Sequence, residues 1–143
     1  MTGPEKRPPD KLSIVVHSGD FERIHYALAM AAAAAAVDRP TTLFFTMAAL
    51  RALAKAGADG APGWTALPGA AARDQEFSAR GVAGFETLLE ACKALGVTLM
   101  VCEMGLRASG LERADLRDDL TFREGGIVTF LADASADGAM LFI

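Results

Sequence analysis

Apolar residues along this chain gather in short blocks, and the blocks alternate between two kinds. LSIVVH (12–17), TTLFFT (41–46), VTLMVC (97–102) and the closing GAMLFI (138–143) are brief runs rich in β-branched, aromatic or large aliphatic residues. Runs of this length without interior charge read as buried strands. The segments between them carry helical spacing. FERIHYALAMAAAAAAV (21–37) follows the turn Ser18-Gly19-Asp20, where Asp20 or Ser18 can cap a helix start, and Pro40 lies beyond its end. Its alanines favour helix and permit close approach to a sheet. MAALRALAKAG (47–57) predicts a second helix, with Gly57 as its stop signal. Phe85, Leu88, Leu89, Cys92 and Leu95 share one face of a third, which Gly96 ends. A short helical turn at 111–116, a weak strand at 120–122 and a stripe of Ile127, Val128, Phe130, Leu131 and Ala134 complete the pattern.

Strands that alternate with helices imply a parallel sheet covered on both faces. The expectation is a single doubly wound, flavodoxin-like α/β domain of about five mostly parallel strands. Its strand order would make the first and third strands neighbours. Residues 1–11 are polar and proline-rich and read as a disordered lead-in, leaving 12–143 as the domain. Residues 57–80 break the rhythm. An irregular stretch of that length inside a compact domain is uncommon and often functional.

Composition narrows the function classes. Hydrophobic residues make up 52% of the 143, which hints at surface buried against another copy, as a dimer or trimer. Trp64, the only tryptophan, lies in the 57–80 segment, so that segment is the expected contact, with a lid over the sheet edge as the other reading. The net charge is −4 with no basic run beyond Lys6-Arg7, which argues against nucleic acid. The apolar run near residues 24–37 is too short to span a bilayer. Two cysteines and no secretory signal suggest a reducing, cytoplasmic setting. Two histidines and two cysteines without ligand spacing give no support for a metal.

The two cysteines have different addresses. Cys92 lies on a helical apolar stripe, where a free cysteine packs as a small hydrophobe. Cys102 ends the third strand, and open parallel sheets bind ligands outside the carboxyl ends of their strands. Backbone N–H groups at a following helix start favour a thiolate there. The bland reading of Cys102 is a small residue sealing the strand end. A disulfide between the two is not expected, because they fall at opposite ends of the strand. His17, at the end of the first strand, is placed to assist Cys102 if those strands are neighbours. Its bland reading is a ring bonded to loop backbone. Gly125-Gly126, before a helix, offers bare N–H groups to an anion or a sulfur, or is simply a tight turn. Gly19 in the SGD turn has the look of a phosphate loop but falls far short of one.

The order LLEACKALGVTLMVCEMG, then LERADL, then GGIVTFLADA and a terminal LFI resembles the DsrE/DsrF-like family, over nearly the whole chain from LSIVVHSGD onward. It is closest to a branch of small bacterial sulfur-relay proteins. The resemblance implies that Cys102 accepts sulfur as a persulfide and hands it on. It also implies a sulfurtransferase-like activity with no cofactor, and donor or acceptor protein thiols as partners. One position departs from the branch: Glu103 follows the cysteine where a small or polar residue is usual, and a carboxylate beside a thiol opposes thiolate formation. Side-chain alternation predicts that Glu103 points outward. Cys102 itself is expected in a partly enclosed pocket at the sheet edge. The rival reading, from another class, is a non-catalytic oligomeric module that binds a small ligand or nucleotide at the same edge.

Overall fold

The structure, a computed structural model, describes residues 7–143. Five strands form one sheet: β1 (Leu12–Val16), β2 (Thr41–Phe45), β3 (Thr98–Cys102), β4 (Phe122–Gly125) and β5 (Ala139–Phe142). All neighbouring pairs are parallel, in the order β4-β3-β2-β1-β5. The doubly wound α/β class therefore holds, but β1 lies beside β2 and β5, not beside β3. The chain steps outward from β1 to β4 through adjacent strands, then crosses back past β1 to place β5 on the far edge.

That single reversal divides the helices between the faces, because right-handed crossovers in opposite directions fall on opposite sides. α1 (Phe21–Ala36), α3 (Phe85–Ala94) and α4 (Glu103–Ala108) share one face with α2 (Ala70–Ala79); among the described residues, α5 (Ile127–Asp133) is the one helix on the other. Strand alternation fits this division. Ile14, Val16, Leu43, Phe45, Leu99, Val101 and Phe122 enter the large core with α1 and α3. Val15, Phe44, Met100 and Cys102 point the other way and meet Phe130 of α5. Asp20 caps α1 as expected, accepting the Arg23 N–H at 3.1 Å.

Three local expectations need correction. Residues 47–53 form a 3-10 turn (Met47–Leu53), so this segment never becomes a full α-helix. The segment 57–80 is only partly irregular: it holds a 3-10 turn (Gly63–Ala66) and the whole of α2. α2 escaped notice because its exposed residues leave a weak apolar stripe. Its supports are tertiary: Arg73 pairs with Glu22 and Glu76, Phe77 packs on Phe21 and His25, and Asp74 accepts the Phe85 N–H at the start of α3. Trp64 is neither a lid nor an interface residue. It is 5% exposed and stacked on Phe21 and Phe85 in the core.

Of the polar lead-in, residues 1–6 lie outside the described part. Lys11 donates to the Asp133 carboxylate at 2.8 Å and to its backbone oxygen at 2.7 Å. Among the described residues, no helix is long and apolar enough to cross a membrane.

Candidate functional site

Cys102 occupies the last position of β3 and is also the residue that caps α4. Its Sγ accepts the Gly105 N–H at 3.4 Å. The contact depends on how closely α4 approaches the turn after β2. A Cβ on Gly105 would lie 2.7 Å from the Met47 N and from the Thr46 Oγ1, so only glycine fits. Gly105 and Thr46 were missed in the sequence. The available signal was a glycine three residues past a strand-end cysteine.

The ladder sets Cys102 opposite Gly125. Gly125 ends β4 and Gly126 precedes α5 as its cap, so both glycines of the pair flank the thiol's edge. A Cβ on Gly125 would meet the Thr129 side chain at 2.9 Å, which explains the first glycine by close approach. Glu103 is the first residue of α4 and is exposed.

The thiol is more enclosed than the sequence suggests. Cys102 is 0% exposed, sealed among Phe44, Met100 and Phe130. The expected partly open pocket is therefore displaced. The open hollow lies alongside, over the ends of β1, β2 and β5. It measures about 260 Å³ and is walled by Val15, Phe44, Phe130 and Phe142, with His17 and Thr46 at its polar points. Cys102 stands behind Phe44 and Phe130, outside the lining itself.

His17 does not neighbour Cys102. With β2 between their strands, the two strand ends are separated by two sheet spacings, roughly 9–10 Å. The His17 N–H donates to the Ile143 oxygen at 2.7 Å, and its ring lies against Phe142, with centroids 5.3 Å apart. Gly19 packs on Ala48 in the turn after β1 and takes no part in the hollow.

Cys92 is fully buried, and its Sγ donates to the Leu28 oxygen at 3.5 Å. Burial pushes its thiol up to about 11. Both cysteines are free. The stripe on α5 is only half used: Phe130 is buried, while Val128 is 81% exposed and Ile127 and Leu131 are also exposed. Leu95, assigned to the α3 stripe, is likewise exposed at the helix end. Among the described residues, no group of three or more His, Cys, Asp or Glu side chains is placed to hold a metal ion.

The chain is thus a small doubly wound α/β protein with a shielded thiol at the carboxyl edge of its sheet. The chain belongs to the DsrE/DsrF-like family, whose model matches residues 10–139. It is 28% identical to the uncharacterized protein YrkE of Bacillus subtilis (strain 168), over 93% of this chain and 96% of that protein. Two solved structures share the fold. The ychN protein from E. coli superposes with a TM-score of 0.62 at 18% identity, over 94% of this chain and 99% of that one. MTH1491 from Methanobacterium thermoautotrophicum, a protein of unknown function, superposes with a TM-score of 0.57 at 14% identity, over 93% of this chain and 98% of that one.

Proposed function

We propose that this chain is a sulfur carrier in which Cys102 takes up a sulfane sulfur and passes it to an acceptor thiol. In the loading step the Cys102 sulfur attacks the outer sulfur of a donor persulfide R–S–S–H. The donor S–S bond breaks, a new S–S bond forms on Cys102, and R–S–H leaves with the proton that Cys102 gives up. No net oxidation occurs, and no cofactor is needed. Delivery is the same exchange with an acceptor thiol, so the partners are donor and acceptor protein thiols.

The observation that carries this reading is the position of the thiol. It ends a parallel strand, accepts the Gly105 N–H and faces Gly125 across the ladder. The N–H can hold a negatively charged sulfur. Membership of a family often related to sulfur relay supports the reading. Shielding suits a persulfide, which is readily reduced or oxidised. Because Cys102 is sealed, loading requires α5, which carries Phe130, to move aside.

That sealing also favours a second reading, a non-catalytic module that binds a small ligand at the same edge, with Cys102 as part of the wall. Self-association fits either reading. Its support is the run of exposed apolar side chains on α5 and β5, with Val128, Leu131, Met140 and Phe142 among them, and this replaces the 57–80 segment as the contact.

Intact mass after incubation with polysulfide separates the two readings. The carrier gains the mass of one sulfur atom, reversible by dithiothreitol, and Cys102→Ser does not. Wild-type protein that gains nothing, or a gain that moves to Cys92, sinks the carrier reading.

A further inference from the structure

We propose that the hollow beside β1, β2 and β5 is a binding site for a small uncharged molecule with an apolar body and one hydrogen-bonding end. Three features of the hollow support it. The first is its size and lining. At about 260 Å³ it exceeds the roughly 150 Å³ apolar cavity that suffices to hold benzene. Its walls are aromatic rings, aliphatic side chains and the thioethers of Met47, Met104 and Met140. Thioethers and aromatic faces are polarisable and adapt to irregular apolar shapes.

The second is a polar group left without its usual partner. Thr46 begins the 3-10 turn after β2 but makes no capping bond to it, although the residue is only 6% exposed. Thr46 lines the hollow, so its hydroxyl, which is not spent on the turn, can bond a molecule held there. The third is backbone strain. Met47, the next residue, has φ 51°, in the left-handed region that a methionine rarely adopts. Strain of this kind concentrates at ligand clamps. Its carbonyl is held by the Ser109 hydroxyl at 3.0 Å, which fixes the strained turn from the α4 side.

Charge selects the occupant. Among the described residues, no Arg, Lys, Asp or Glu lines the hollow, so an anion such as thiosulfate or a carboxylate would have to shed its water with no counter-charge to receive it. Thr46 and His17 offer one or two hydrogen bonds to a neutral polar end. This site does not depend on the persulfide reading, since binding there needs no chemistry at Cys102.

The test compares phenol, toluene and benzoate, three ligands of similar ring size, by the rise in thermal midpoint with concentration and by NMR titration of residues 44–47 and 142. The expected order is phenol tightest, toluene next and benzoate absent. Thr46→Val keeps the shape and removes the hydroxyl, so it should weaken phenol about fivefold and leave toluene unchanged. Met104→Asp, on the exposed rim, should abolish both without loss of fold. The proposal is overturned if none of the three binds saturably, if benzoate binds as well as phenol, or if Thr46→Val weakens phenol and toluene alike. It is also overturned if phenol binds only to a Val128→Asp variant freed from self-association, because the hollow would then be filled by a neighbouring copy.

Discussion

Asp133, at the last position of α5, holds that helix to the sheet, and Asp133→Asn should release it. The carboxylate accepts from Lys11 at 2.8 Å, from the Thr42 hydroxyl at 2.7 Å and from Arg123 at 3.2 Å. Partial burial works against the charged form, but the Lys11 ammonium, the Thr42 hydroxyl and Arg123 outweigh it and hold the carboxyl below its ordinary value. Arg123 is half exposed, so its share is small. Lys11 and Asp133 are mostly buried, and a charge-assisted bond of that kind contributes roughly 1.5–3 kcal/mol. The Asn variant keeps an acceptor but loses the charge, so about 2 kcal/mol is the expected cost. α5 has seven residues and is too short to stand alone, so the cost should fall on local opening of this helix.

Opening of α5 lifts Phe130 from Cys102, and 2 kcal/mol is a roughly 30-fold increase in the open population. Native-state alkylation measures it. Cys102 should label about 30 times faster in Asp133→Asn, with little dependence on added urea, because local opening exposes little surface. Cys92, buried in the main core, should label only through global unfolding, with a steep urea dependence. Equal rates and equal urea slopes for the two cysteines would refute the reasoning, since both thiols would then be reached by the same global event. The pH dependence follows from the same carboxylate. Its value in the fold is depressed, so its contribution is complete at neutral pH, above the unfolded value of about 3.9, and is lost as pH falls below that. Amide exchange of residues 127–133, corrected for intrinsic rate, should therefore quicken between pH 5 and 3 more than that of α1.

Cys92→Ala should cost roughly 1 kcal/mol in urea denaturation and leave sulfur loading on Cys102 intact. Gly105→Ala drives a methyl against the Thr46–Met47 turn and should destabilise by about 1–3 kcal/mol, while Ala108→Gly nearby costs only the helix propensity difference, about 1 kcal/mol. Val128→Asp, on the exposed side of α5, should shift sedimentation toward a single chain at micromolar concentration without lowering the thermal midpoint of the monomer. An unchanged assembly would remove α5 from the interface.

How much of the molecule the sequence determined depends on the range of the physics involved. β1, β2, β3 and α1 are legible because their signals are local: short β-branched or aromatic runs, an Asp20 cap and an alanine-rich helix. The different positions of Cys92 and Cys102 were legible for the same reason, one on a helical stripe and one at a strand end. α2 was not legible, because its residues are held by Glu22, Phe21 and the start of α3, all distant in sequence. Strand order was not legible either. A parallel strand carries the same apolar pattern whichever neighbours it has, so nothing local distinguishes β2 from β3 as the partner of β1. The separation of His17 from Cys102 follows from that order alone. An apolar stripe likewise cannot state what covers it. The stripe on α5 reads as a core face, yet Phe130 closes over Cys102 while Val128 and Leu131 face outward. Because the chain reverses direction once, a single seven-residue helix must cover a whole face of the sheet, and it is too small to cover it.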